Sequence, residues 1–434
     1  MKFFKQSLFL LTILILTTLV ISYEPQPEKV DASSIGYTTY QNKVFQNGQP
    51  LQLFGVNWFG FDDGGVRIHG SWQRSIHSMI TQIKEFGFNA VRVPFCAKVM
   101  DNQNTDFVDY NLNPEYKNKK SLESLDIFLS DLAENDLYFI LDHHSIDCQN
   151  VSPLWYDNDY SEDDWVGDLE FIAKRYSLNP YFVGIDIKNE NHSSNGKNYP
   201  QWGIGDAKLD WRRAAQKAGQ AINQTNPNIL IFVSGIENGQ NDCSKDKDMM
   251  WGENFMPIEC YPVDFEYIPK DKLILTPHIY GLDVYPDISY FSSKDFPNNL
   301  QPKWEEHFGY LTEKGYTIIP GEFGSKYGTT TNTGTGNTKD VVLQDKLIDY
   351  FIDKEVCNFF YWSYNPNSDD TGGLVEDDWQ TPISSKIDNL QKLIQYCNQE
   401  EKLTLEEAQS KNKEGLLKKF SQKIQQNTLK RFGK

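Results

Sequence analysis

The chain has 434 residues, enough to bury one large core, and a formal net charge of −18 at pH 7. That charge argues against nucleic acid or an anionic membrane as partner of the main body. A neutral polysaccharide fits it, and an aromatic fraction of 14%, including 10 Trp, supplies flat apolar faces of the kind on which pyranose rings stack.

From the N-terminus, Lys2 and Lys5 precede an apolar stretch from Leu8 to Ile21, and Val20-Ile21-Ser22 offers a small-residue cleavage site. The stretch is short for a membrane span, so residues 1–22 read as a cleaved secretory signal with the mature chain starting near Tyr23. No second long apolar segment follows, which predicts export with no membrane partner for the mature body: an extracellular protein, or one of a digestive lumen. Tyr40–Leu53, centred on Asn47-Gly48, reads as a β-hairpin able to close the bottom of a barrel.

Short β-branched runs then recur at Leu51–Asn57, Ala90–Pro94, Tyr138–Asp142, Val183–Ile187, Ile229–Ser234, Leu273–His278, Thr317–Gly321 and Asn358–Ser363. Amphipathic stretches such as Ser75–Phe86, Leu122–Asn135, Trp165–Tyr176 and Asp210–Asn223 lie between them. Eight strands alternating with helices predict an α/β fold, a closed (β/α)8 TIM barrel over residues 23–399, with the doubly wound open sheet as the competing solution. No G-x-G-x-x-G turn follows the first strand, so no dinucleotide cofactor is expected. Gly324–Gly336, rich in Thr, Gly and Asn, reads as a mobile loop. Residues 400–434 read as a charged, Lys-rich helical tail, with Leu416, Leu417, Phe420 and Ile424 at helical spacing.

Six cysteines, Cys96, Cys148, Cys243, Cys260, Cys357 and Cys397, suggest up to three disulfides in an exported chain. Their even number leaves connectivity open. Strand-end positions make Cys96–Cys148 the first pairing; Cys243–Cys260 would staple a loop, and Cys357–Cys397 would tie the last strand to the last helix. No spacing suggests a zinc site, and no metal is expected.

The chemistry gathers at the carboxyl ends of the strands, the catalytic face of such barrels. Those ends carry Arg92, His143, His144, Asn189, Glu190, His278, Tyr280, Glu322 and Trp362. Glu190 and Glu322 each close a buried-strand pattern. Two acids, one able to give a proton and one able to attack, are what a retaining glycosidase places on either side of a sugar acetal.

The segments Gly55-Val56-Asn57-Trp58-Phe59-Gly60-Phe61, Val91-Arg92-Val93-Pro94-Phe95, Leu141-Asp142-His143-His144, Asn189-Glu190, Pro277-His278-Ile279-Tyr280, Gly321-Glu322-Phe323-Gly324 and Tyr361-Trp362-Ser363 run in the order seen in glycoside hydrolase family 5, which the chain resembles. Asn365 to Leu374, followed by Asp377-Asp378-Trp379-Gln380, is similar to its endo-β-1,4-glucanases. The resemblance spans Ser34 to Cys397 and implies a monomeric secreted enzyme, without cofactor, acting on cellulose or a related β-glucan. It implies Glu190 as acid/base, Glu322 as nucleophile, Arg92 and Tyr280 as partners of the nucleophile, and His278 and His144 bordering the carboxylates. Asn189 would contact the sugar 2-hydroxyl, and Trp362 would form the floor under the reacting sugar. Trp72 and Trp251 are the first further stacking candidates, ahead of Trp58, Trp155 and Trp379. The same machinery could serve β-mannan or xyloglucan, and a binding protein that has lost catalysis is the rival from another class.

Two departures stand beside the acid/base. Asn191 occupies the place of the family's usual Pro, and Lys188 a place often held by His. Strand alternation puts Lys188 on the side of Glu190, where its charge would lower the acid's pKa, so it is expected to turn away or to pair with Asp186 or another acid. Asp63-Gly64-Gly65 lacks the Cys that relatives pair with the equivalent of Cys148, which is part of the case for Cys96. Of three N-glycosylation sequons, at Asn150, Asn191 and Asn223, the one at Asn191 is expected to stay bare.

Overall fold

The computed structural model describes residues 35–194, 196–238, 243–244, 249–331 and 334–415. The expected signal segment lies outside the described residues, as do Leu416, Leu417, Phe420 and Ile424.

A small antiparallel sheet opens the fold: β1 (Tyr37–Tyr40), β2 (Lys43–Gln46) and β3 (Gln49–Leu51). The tight turns at Gln41-Asn42 and Asn47-Gly48 need positive φ, which Asn and Gly tolerate better than most residues. This sheet sits at the amino ends of the barrel strands. The amide of Tyr37 donates to the Asn228 carbonyl, that of Thr39 to Asp271, and that of Ile318 to the Asn42 side chain.

The barrel strands are β4 (Phe54–Asn57), β5 (Ala90–Cys96), β6 (Tyr138–Ser145), β7 (Phe182–Asp186), β8 (Leu230–Ser234), β9 (Leu273–Thr276) continued by β10 (His278–Ile279), β11 (Thr317–Ile318) continued by β12 (Glu322–Phe323), and β15 (Phe359–Tyr361). Between the last two lies a ribbon, β13 (Thr330–Thr331) with β14 (Gly334–Thr335), in the segment expected to be a loop. All barrel pairings are parallel, and β15 pairs with β4. The amides of Phe360 and Trp362 donate to the carbonyls of Pro320 and Phe323, which closes the ring. The strands are buried almost throughout, as parallel strands covered on both faces must be. The fold is therefore the expected TIM barrel.

The expected helices form at α1 (Ile76–Glu85), α2 (Ser121–Glu134), α3 (Glu162–Arg175) and α4 (Trp211–Thr225). Ser161 caps α3 in a box with Asp164, and Asp210 caps α4 by accepting from the Arg213 amide. After the ribbon come α5 (Thr338–Asp353) and α6 (Ser384–Gln399). Residues 405–415 form a further helix, capped by Thr404 with Glu407 and laid on the N-terminal sheet through Leu405 to Gly48 and Asn412 to Tyr40. All six cysteines pair, as Cys96–Cys148, Cys243–Cys260 and Cys357–Cys397. No helix among the described residues is long and apolar enough to cross a membrane.

Candidate active site

Parallel strands of one register bring their carboxyl ends to one face, and the site is built there. Arg92 sits in β5 opposite Asn57 of β4, while Asp142 of β6 sits opposite Asp186 of β7. Arg92 is fully buried, and its planar guanidinium meets each of these groups. It donates to Asn57 at 2.8 Å, to Asp186 at 3.0 and 3.1 Å, to Asn189 at 2.9 Å and to Glu322 at 2.6 Å, with Asp142 at 3.1 Å. Burial opposes its charge, but Asp142, Glu322 and Asp186 outweigh that and raise its pKa. Burial raises Asp186 to about 7, against the pull of Arg92. Asp142 is lowered: burial works against its charge, and the cations Arg92 and His144 overcome it.

Glu322 opens β12. Its two oxygens accept from Arg92 at 2.6 Å and from the Tyr280 hydroxyl at 2.6 Å. Glu190 follows β7 with φ of 40°, a left-handed conformation that a side chain adopts at some cost. One of its oxygens lies 2.9 Å from His278 Nδ1, which is 3.5 Å from Glu322. An oxygen of Glu190 and one of Glu322 lie within 4.8 Å of each other.

The surroundings act strongly on Glu190 and the two histidines. Burial pushes Glu190 up to about 7, with His144, Arg92 and Lys188 pulling against it and Asp370 adding to the rise. Burial lowers His278 to about 4, so it is neutral at pH 7. His144 moves the other way: its bond to Asp142 at 2.6 Å and that acid's charge overcome burial and hold it near 9. A protonated His144 and Arg92 thus lie beside Glu322, while Glu190 keeps its proton into the neutral range.

The cleft around these groups has a volume of about 500 Å³. Trp362 lies along it, stacked with Phe59 at 5.3 Å and with His144 at 5.7 Å, its indole N–H donating to Ser368 at 3.0 Å. Trp251, 41% exposed, forms a second flat wall stacked at 3.7 Å on His192. Trp72 is not brought to this cleft. It packs on His69 and Trp379 and lines a neighbouring hollow with Arg67 and Phe107. Trp58, Trp155 and Trp379 are core. His143 turns from the cleft toward the Tyr160 hydroxyl at 3.3 Å.

Lys188 neither turns to solvent nor pairs with Asp186, which Arg92 already occupies. It is fully buried and donates to the Asn189 carbonyl, and burial lowers it to about 8. Asn191 is also buried, which keeps that sequon from a glycan in the folded chain. Sequence reasoning overlooked Asp142, Asp186 and Asn57 as the cage of Arg92, and Ser368 and Asp370 as lining residues. The first three stand at strand ends next to residues already singled out, which is the signal that could have found them.

Residues 44–368 match the family model described as cellulase, glycosyl hydrolase family 5. The chain belongs to glycosyl hydrolase family 5. This family 5 hydrolase cleaves O-glycosidic bonds, and its relatives cover most of its length. It is 40% identical over 351 residues to the major extracellular endoglucanase of Xanthomonas campestris pv. campestris, covering 81% of this chain and 69% of that one. It is 33% identical over 401 residues to an endoglucanase of Paenibacillus polymyxa, covering 91% and 96%. Among solved structures, the hyperthermophilic endocellulase of Pyrococcus horikoshii matches at a TM-score of 0.79 with 38% identity, over 84% of this chain and 99% of that one.

Proposed function

We propose that this family 5 hydrolase is a secreted, retaining endo-β-1,4-glucanase, with Glu322 as nucleophile and Glu190 as acid/base. The observation that carries the reading is the pair itself: two carboxylates whose oxygens approach within 4.8 Å, one doubly hydrogen-bonded by Arg92 and Tyr280, the other raised to about 7. That approach suits the roughly 5–5.5 Å of retaining enzymes and is short for the roughly 6.5–9.5 Å that leaves room for an inverting water.

In the first step Glu322 attacks the anomeric carbon while Glu190 passes its proton to the departing glycosidic oxygen, giving a glycosyl ester on Glu322. In the second, Glu190, now ionised, takes a proton from water as the water oxygen displaces Glu322. Two inversions leave the β configuration. Asn189, held by Arg92, would bond the sugar 2-hydroxyl, and Trp362 would carry the sugar face.

The substrate class is supported by the endoglucanase names of the relatives and by crystallised complexes of the Pyrococcus horikoshii endocellulase with cellotetraose. Three disulfides and an apolar, basic-fronted N-terminus support export. The test is hydrolysis of carboxymethyl-cellulose, barley β-glucan, mannan and xyloglucan, with NMR of the first product anomer. The expected result is fastest cleavage of the β-1,4-glucans and initial β-anomer. Release of α-anomer first would overturn the mechanism, and preference for mannan or xyloglucan would reassign the substrate. Glu322→Ala should end turnover with the fold intact, and Glu190→Ala should cost about 10²–10⁴-fold on substrates with poor leaving groups but far less on activated aryl glycosides.

A further inference from the structure

Lys386 is the third residue of α6 and is buried to 2% exposure, an expensive place for an ammonium. A cation in the first turn of a helix also opposes the helix dipole. Its two hydrogen bonds run to main-chain carbonyls, those of Thr371 and Gly373, each at 2.8 Å. Asp283, Glu376 and Lys326 are the charged groups that act on it, and burial lowers it to about 7. Charged or neutral, the amine keeps the two N–H groups those bonds require.

The two carbonyls bracket Gly372, which takes φ of 58°, a conformation suited to glycine. They belong to the loop after β15, where the Thr371 hydroxyl donates to Ser368 at 2.8 Å. Ser368 donates in turn to Asp370 at 3.0 Å and accepts the Trp362 indole N–H at 3.0 Å. Ser368, Asp370 and Trp362 all line the cleft. A continuous series of hydrogen bonds thus joins a buried lysine on the outer helix layer to the edge of the aromatic wall.

We propose that Lys386 is a positioning residue, fastening the loop after β15 from beneath so that Ser368 and Asp370 hold Trp362 in register for sugar binding. This rests on the β-glucan reading only for the choice of substrate. Trp362 would contact the sugar in ground state and transition state alike, so loosening it weakens binding more than it slows chemistry.

The test compares wild type, Lys386→Met, Ser368→Ala and the double variant in the full chain. Cellotetraose kinetics are read together with amide hydrogen exchange over residues 363–374. Lys386→Met removes both hydrogen bonds to the loop and should raise KM about tenfold with kcat changed less than about threefold. It should also speed exchange in that segment, and its KM effect should vanish in the Ser368→Ala background. Additive effects, or a lower melting temperature with KM and exchange unchanged, would overturn the proposal. If wild type does not cleave cellotetraose, the substrate reading fails, and the exchange result alone decides the role of Lys386. If Lys386→Met does not fold, Thr371→Val, which breaks the series one step further on, should give the same rise in KM and exchange; wild-type values there would overturn the proposal.

Discussion

Glu190 and Glu322 are the same side chain in two environments, and the difference lies in what each touches. Glu322 has Arg92 and Tyr280 on its oxygens, whereas Glu190 has one neutral histidine and a desolvated position. An acid raised to about 7 is protonated below that pH and loses its proton above it. The prediction is a kcat/KM profile that falls as pH rises through about 7, the limb belonging to Glu190 in the free enzyme. Two neighbours should move that limb in opposite directions. Asp370→Asn removes a negative charge that favours the protonated acid, so the limb should shift to lower pH; Lys188→Met removes a positive charge that disfavours it, so the limb should shift to higher pH. Initial-rate pH profiles check both, and two shifts of the same sign would contradict the assignment. The motifs alone pointed to the two acids, Arg92 and Tyr280. The fate of Lys188 could not be read there, because local alternation gives its side and not that its hydrogen bond goes to the Asn189 carbonyl.

At the scale of elements, the strand-helix alternation was legible because each buried strand is a short β-branched run bounded by turn residues. The ends of the sixth and seventh barrel strands were not. Both were expected as single runs, Leu273–His278 and Thr317–Gly321, yet the sixth breaks into β9 and β10, and the seventh stops at Ile318 and resumes as β12 at Glu322, beyond the expected run. Pro277 and Pro320 lie at the breaks, and a residue with no N–H cannot continue the ladder. The short second pieces pair in their own register, His278 opposite Glu322, and this brings the nucleophile and its neighbour together. The next residue but one is Gly324, where an added Cβ would stand 2.0 Å from the main-chain oxygen of Trp362. Gly324→Ala should therefore push β12 and the end of β15 apart. The expected outcome is a loss of about 1–3 kcal/mol in stability together with a raised KM from the displaced tryptophan. Thermal unfolding and steady-state kinetics measure it, and wild-type values in both would mean that the two segments can part freely.

Across the whole molecule, the three disulfides divide between the two ends of the barrel. Cys96, the last residue of β5, bonds Cys148 just after β6, and Cys243–Cys260 lies in the segment after β8, both on the face that carries the cleft. Cys357–Cys397 joins the chain two residues before β15 to the last turn of α6, at the opposite end, where Gln52 also bonds the Cys397 carbonyl. Sequence separations of 17 and 40 residues for the second and third pairs give chain-entropy contributions of about 3 and 4 kcal/mol, so neither bond should dominate stability. Their effects on function should differ, because of what each segment carries. The segment between β8 and Cys260 supplies Met249, Met250 and Trp251 to the cleft, whereas Cys357 stands at the opposite end of β15 from Trp362, which lines it. Replacing Cys357 and Cys397 together by Ser should lower the unfolding temperature and leave kcat/KM on cello-oligosaccharides within about twofold, since only the closed end of the barrel loosens. Replacing Cys243 and Cys260 should lower it comparably and raise KM as well, because the wall formed by Trp251 loses its tether. Calorimetry and kinetics on the two double variants separate these outcomes. A KM rise confined to the Cys357/Cys397 variant would mean that the cleft is shaped from the far end of the barrel rather than by its own loops.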